Sequence, residues 1–206
     1  HIVAHKGEIN ANQATLVAKN EINLHTPSQL LTQHANLKAD WINATAQRVE
    51  NQHGRWASQG ARDFSLNLEQ GLNNEKGLIL SGGKMSLTQH NQFLNNREGR
   101  LLSGKDLNLT ALSVDNRAGM IVADGSSTLN IARDINNQKV GNTGSLMQAQ
   151  GGLTINTTNL NNQNTKGNVQ SVPTQGILAG QVEVNAQQLD NKQGGVYSVS
   201  SQVGNI

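Results

Sequence analysis

The residues whose types could do chemistry are three aspartates and an adjacent arginine, namely Asp106, Asp124, Asp134 and Arg133. Carboxylates that converge can bind calcium or act as the acid and base of glycoside hydrolysis. Asp106 and Asp124 have turn-like surroundings, and Arg133 and Asp134 stand where a corner is due, so solvated turns are the favoured interpretation. A polysaccharide-active enzyme is kept as a third hypothesis, and we predict that the chain is not an enzyme.

Histidine and cysteine give no support to a metal site. Cysteine is absent, and the six histidines match no recognised ligand spacing apart from His1 and His5, whose neighbours do not favour a helix. The net charge is +2 and the basic residues are scattered, which does not favour nucleic-acid binding. No apolar run approaches the roughly 20 residues of a membrane-spanning helix. We predict no cofactor, no metal, no nucleic-acid partner and no membrane insertion.

A repeated formula organises the chain, and its first part is an apolar residue, a polar residue and then asparagine. The steps between successive copies are 23, 22, 20, 21, 25 and 29 residues. In the first four copies a glycine follows the asparagine three residues later, and both residue types tolerate the backbone of sharp corners. The predicted structural turn positions are Asn51, Asn74, Asn96, Asn116, Asn137, Asn162, Asn191, Gly54, Gly77, Gly99 and Gly119.

The second part of the formula is a short alternation of apolar and polar residues, as in Leu66-Asn67-Leu68 and Leu107-Asn108-Leu109. Such alternation predicts strands. Three short strands in each repeat of about 20–25 residues predict an all-β fold, a parallel β-helix (solenoid) of eight or nine coils. At ~4.8 Å per coil, the rod would be on the order of 40 Å long. Two tryptophans, two phenylalanines and one tyrosine are the only aromatics, which agrees with thin aliphatic layers.

We expect residues 1–206 to be a single β-helix segment, with irregular coils over 1–48, regular repeats over 49–135 and longer loops over 136–206. One stretch also allows a helix, because Thr26-Pro27-Ser28-Gln29 resembles a capping box with proline at the first helical position. The strand triplets that begin at Ile22 and Ile42 nevertheless stand one coil length apart. We therefore favour an ordinary coil there.

Three segments carry a resemblance to a known family: LNNEKGLILSGGKMSLTQ from residue 72, LNNREGRLLSGKDLNLTA from residue 94 and VDNRAGMIVADGSSTLNIA from residue 114. They are similar to the repeats of filamentous haemagglutinins and of contact-dependent growth inhibition effectors, the bacterial exoproteins of two-partner secretion. The resemblance implies a right-handed β-helix that is exported unfolded through an outer-membrane transporter and folds outside the cell. We expect a secreted or cell-surface stalk that presents a distal binding or toxin region, with neither a secretion domain nor a toxin module in this stretch.

Two insertions lengthen the last coils, at residues 138–145 and 163–175. Insertions in solenoids project from one face, which is often the binding surface. The second hypothesis is therefore direct binding of a host-cell or bacterial surface receptor, or of a glycan, through these loops. The residues predicted to contact the partner are Lys139, Asn142, Lys166, Asn168 and Pro173.

Overall fold

The computed structural model describes residues 1–168 and 171–199, and these residues form an all-β parallel solenoid of about nine turns. The predicted parallel solenoid is thereby confirmed. No α-helix is present in either described range, and none there could span a membrane.

Each turn contributes a short strand to each of three faces. The strands confined to the first face are β2 (Ile9–Asn10), β5 (Gln29–Leu31), β8 (Arg48–Glu50), β11 (Leu72–Asn73), β14 (Phe93–Asn95), β17 (Ser113–Asp115) and β20 (Asp134–Asn136). Those of the second face are β3 (Thr15–Val17), β6 (Asn36–Ala39), β9 (Arg55–Ser58), β12 (Leu78–Ser81), β15 (Arg100–Ser103), β18 (Met120–Ala123) and β23 (Val196–Ser198).

The third face is made of β1 (Ile2–Val3), β4 (Glu21–His25), β7 (Trp41–Thr45), β10 (Phe64–Leu68), β13 (Met85–Gln89), β16 (Leu107–Ala111) and β19 (Ser127–Ile131). Two long strands, β21 (Leu146–Asn161) and β22 (Gly176–Asp190), run through all three faces of their turns.

Strands of successive turns pair in parallel and in register, so like residues stack. On the third face Leu66 pairs with Leu87, Leu87 with Leu109, and Leu109 with Leu129. All four side chains are buried in one continuous core. Since strands alternate inward and outward positions, each coil adds one thin aliphatic layer to this core. The repeat formula therefore encodes the core directly.

The segment with a helix-like start is a coil, as favoured above. Its residues form β5 and β6 (Gln29–Leu31 and Asn36–Ala39), and Leu30 is fully buried where it pairs with Val49. The hydroxyl of Thr26 does accept a hydrogen bond from the backbone N–H of Ser28, at 3.1 Å. That bond closes a local turn, but the chain then continues as a strand because stacking on the next coil buries Leu30.

A ladder of asparagine amides runs along the inside of one corner, and all of its rungs except the last, Asn191, are fully buried. Each Nδ2 donates to the Oδ1 of the next coil's asparagine at 2.7–2.8 Å, and the rungs are Asn51, Asn74, Asn96, Asn116, Asn137, Asn162 and Asn191. Thr32 stands one coil earlier, and its hydroxyl donates to Asn51 Oδ1 at 3.0 Å and accepts from the indole of Trp56. The ladder therefore ends on a buried hydroxyl.

The third face is interrupted between β7 and β10, whose backbones form no ladder within the described ranges. Side chains bridge this joint instead. The hydroxyl of Ser58 accepts from the N–H of Ile42 at 3.1 Å, and the indole of Trp41 donates to the carbonyl of Asp63 at 3.0 Å. Arg62 lies over the ring of Trp41, 3.5 Å from its centre.

Gln89 places a polar amide in the core. It occupies an inward position between Leu68 and Ala111, is 1% exposed, and neither atom of its amide has a hydrogen-bond partner among the described residues. Burying an unpaired amide costs roughly 1–3 kcal/mol. Gln89→Leu is therefore expected to raise the free energy of unfolding by about 1–2 kcal/mol in urea titrations.

The matched control is Gln150→Leu, which changes an exposed glutamine and should stay within about 0.5 kcal/mol of the parent protein. A loss of stability in Gln89→Leu would show that the buried amide is satisfied, contrary to this account.

Candidate partner-binding cleft

The first insertion is a short hairpin-like loop. Val140 and Thr143 exchange two backbone hydrogen bonds of 3.0 Å, and Gly141 between them has a φ of 56°. Asn142 lies exposed at the tip of this loop, and Lys139 is half-buried at its base. The insertion raises the spacing from 20 residues between Ser103 and Ala123 to 26 residues between Ala123 and Ala149.

The second insertion, residues 163–175, contains positions 169 and 170, which lie outside the described residues. Lys166 and Asn168 are exposed, and the Lys166 carbonyl accepts a hydrogen bond from the Gln175 side chain at 2.6 Å. Pro173 is buried beside Gly167 instead of being displayed on the surface. Its place in the fold is therefore a packing position.

The two loops meet and form one cleft of about 570 Å³. They touch where Gly144 faces Gln175, since a Cβ at Gly144 would lie 2.6 Å from that of Gln175. Two of the predicted residues, Lys139 and Lys166, line the cleft together. The full lining is Lys139, Gly141, Asn164, Lys166, Gln175 and Gln193.

Gln193 was not among the residues predicted from the sequence. It lies one coil beyond Asn164, and the backbone N–H of Asn164 donates to the carbonyl of Lys192 at 3.0 Å. Both Asn164 and Gln193 have a positive φ, 59° and 52°. Gln193 follows Asn191 by two residues, as Asn164 follows Asn162. The spacing of 29 residues between Asn162 and Asn191 therefore relates Gln193 to Asn164 and could have identified it from the sequence.

The electrostatics of the cleft differ from those of the regular coils. In the regular coils, Lys76 Nζ lies 3.8 Å from a carboxylate oxygen of Glu98. Arg117 donates hydrogen bonds of 2.9 and 2.5 Å to the carboxylate of Asp115. The hydrogen bond and the charge of Asp115 raise the pKa of Arg117 above its ordinary value, so that guanidinium stays charged. Neither cleft lysine has an ion-pair partner within residues 1–168 and 171–199, so the cleft presents positive charge.

The aspartates considered for catalysis do not converge. Asp106 and Asp124 lie at the corner between the second and third faces, whereas Asp134 begins β20 on the first face. Asp106 accepts from the N–H of Ser126 at 2.9 Å, and Asp134 from the amide of Asn159 at 2.7 Å. These are turn and coil-stacking contacts. In the described part of the chain, no three His, Cys, Asp or Glu residues are grouped to hold a metal ion.

The comparisons with known proteins give one partial similarity. Toxin CdiA of Yersinia pestis is 36% identical over 86 residues, which are 42% of this chain. The match covers about 3% of the length of that curated relative. No protein-family model matches the chain, and no solved structure gives a significant match. The similarity and the solenoid fit a repeat region of the CdiA and filamentous haemagglutinin type.

Proposed function

We propose that this chain is a non-enzymatic stalk segment of a large secreted bacterial exoprotein, and that it holds a distal binding or toxin region away from the producing cell. The observation that carries the proposal is the unbroken asparagine ladder from Asn51 to Asn191, which ties successive coils into one stiff unit. The partial similarity to Toxin CdiA supports a place in a much longer exoprotein.

Export follows from the same proposal. The chain would pass unfolded through an outer-membrane two-partner secretion transporter and fold at the cell surface or in the medium. The absence of cysteine suits this route, because a disulfide formed before export would obstruct threading. Coil-by-coil stacking also suits it, since each new coil pairs with the coil already folded.

The stalk role is tested by replacement in the full-length parent exoprotein. Residues 1–206 are exchanged for an unrelated β-solenoid with the same number of turns, or for a Gly/Ser linker of the same number of residues. The solenoid should preserve surface display and the activity of the distal region, whereas the flexible linker should reduce that activity because it does not fix length or direction. Loss of activity with the displayed solenoid would contradict a spacer role.

A second function is favoured by one observation, the shared position of Lys139 and Lys166 in the cleft between the loops. We propose that this cleft binds an anionic group of a host-cell or bacterial surface receptor or glycan. Lys139→Gln with Lys166→Gln should reduce saturable binding of the labelled protein to epithelial cells or Gram-negative bacteria by at least about tenfold, as for the loss of two charge-assisted contacts.

The matched control is the double variant Lys6→Gln with Lys19→Gln. It removes two positive charges from exposed lysines outside the cleft. Equal binding by the two double variants would contradict a role for the cleft. The third hypothesis, a polysaccharide-active enzyme, has no comparable observation in its favour.

A further inference from the structure

The turn between β13 and β14 sets Phe93 apart from the other outward residues of the first face. Leu87 and Leu109 are inward residues of the third face, and Leu94 and Val114 are the inward residues of the first face that follow them. The step from Leu87 to Leu94 is seven residues, whereas the step from Leu109 to Val114 is five. The longer turn contains Asn91, with a φ of 53°, and Phe93 follows it at the outward position that Ser113 takes in the next coil. Phe93 is 49% exposed, in the middle of the regular repeats.

A recess lies beside Phe93 because its neighbour one coil earlier is a glycine. Leu72 pairs with both Val49 and Leu94, which places Gly71 in register between Arg48 and Phe93. Gly71 has a φ of 96°, and a Cβ there would lie 2.9 Å from the carbonyl oxygen of Phe93. No side chain therefore fills the gap between the guanidinium and the ring, whose backbones are about 9.6 Å apart at two coil spacings.

The recess has a volume of about 240 Å³, the space of roughly eight water molecules at about 30 Å³ each. This is enough for one small ring and too little for an extended chain. Its remaining walls are Leu72 and four planar amides, contributed by Gln70, Asn73, Gln92 and Asn95. Each amide offers both a donor and an acceptor.

Several of these polar atoms have capacity for a ligand. Gln70 donates through its Nε2 to Gln47, at 2.7 Å, which leaves its Oε1 as an acceptor. The amide of Asn95 donates to Asn73 Oδ1 at 3.0 Å, which leaves Asn73 Nδ2 as a donor. The Gln92 side chain makes no hydrogen bond within the described ranges. The recess therefore combines an aromatic side chain with donors and acceptors that no other protein group occupies.

Charge decides which class of ring this recess fits. Arg48 is bound through its Nε to Glu50, whose side chain is 10% exposed, so the guanidinium is already neutralised. A charged ligand would find no net counter-charge there. A neutral ring with one apolar C–H face and a rim of hydroxyls would place that face on Phe93 and its hydroxyls on the amides.

We propose that the recess formed by Arg48, Gly71 and Phe93 binds one uncharged pyranose residue of a surface glycan. The site is separate from the loop cleft, and it adds a contact point to the side of the rod without altering the stalk function. A single ring on an open surface binds weakly, with a dissociation constant in the millimolar range. Useful affinity would come from many copies of the sugar on a cell surface.

The test uses the purified protein and four probes, the methyl glycosides of glucose, galactose, mannose and N-acetylglucosamine. Saturation-transfer NMR should show saturable binding of at least one of them. Phe93→Ser, which copies the residue of the next coil at Ser113, should weaken that binding at least roughly tenfold. Gln92→Ala should weaken it to a smaller extent. Circular dichroism checks that each variant stays folded.

Val17→Ser is the control, because it removes an exposed apolar residue on the second face, away from the recess, and it should bind as the parent protein does. Absence of saturable binding by the folded protein to all four glycosides would overturn the proposal, as would binding that Phe93→Ser leaves unchanged. If no glycoside binds but Phe93→Ser abolishes binding of the protein to cells, the recess binds a protein partner. That result would also overturn the proposal of a saccharide site.

Discussion

Replacing Asn96 with alanine is expected to lower the free energy of unfolding by about 2–4 kcal/mol, since each buried polar group left unpaired costs about 1–3 kcal/mol. The substitution removes a rung from the middle of the ladder. Asn116 Oδ1 loses its donor at 2.7 Å, and Asn74 Nδ2 loses its nearest acceptor at 2.8 Å and keeps only the carbonyls of Gly77 and Arg100, both at 3.3 Å. Both side chains are fully buried. Urea titration followed by circular dichroism measures the change.

The neighbouring residue supplies the control. Asn95 also bonds to the asparagine of the preceding coil, at 3.0 Å, but its side chain is partly exposed and water can replace the bond. Asn95→Ala should therefore cost less than about 1 kcal/mol. Similar losses for the two variants would mean that the buried ladder does not hold the coils together.

The second large effect is expected at Gly99. A Cβ at this position would overlap the carbonyl oxygen of Asn74 and lie 2.7 Å from Oδ1 of Asn96. The backbone cannot yield locally, because Arg100 pairs with Leu78 above and Met120 below. Gly99→Ala should therefore destabilise the protein by at least about 3 kcal/mol, measured as the fall in the urea midpoint at constant slope.

Gly152→Ala separates this steric effect from the general effect of replacing glycine. No atom lies within 4 Å of a Cβ placed at Gly152, and its φ is not in the left-handed region. This variant should be neutral or stabilised by up to about 1 kcal/mol. If Gly99→Ala had the same free energy of unfolding as Gly152→Ala, that result would contradict the close approach of successive coils at the ladder.

Much of the fold could be predicted because the coils are copies of one another. The spacing of Asn74, Asn96 and Asn116 gives the coil length, and the alternation around Leu109 gives the inward face. At residues 26–37 the local capping pattern and the repeat spacing disagreed. The repeat prevailed because parallel pairing buries Leu30 against Val49, whereas a single helical turn would have buried little.

The candidate sites were less predictable, because they depend on how coils of unequal length stack. The sequence located both insertions, but it could not show that Lys139 and Lys166 share a cleft or that Pro173 packs inward. The recess beside Phe93 arises from a longer turn in one coil and a glycine in the coil before it. Neither feature is unusual within its own coil, so only the stacked structure brings them together.

The central claim is that the chain is a stiff spacer, and the most direct test is a distance along the rod. Ser65 and Glu183 are exposed and lie on one outward column of the third face, five coil steps apart by the observed pairings. Spin labels on Ser65→Cys and Glu183→Cys are the only thiol-bound groups, since the chain has no cysteine. Pulsed electron paramagnetic resonance should give a single narrow distribution that corresponds to about 24 Å between the two backbones, at ~4.8 Å per coil. A broad distribution, or a mean far from this value in the folded protein, would contradict the account.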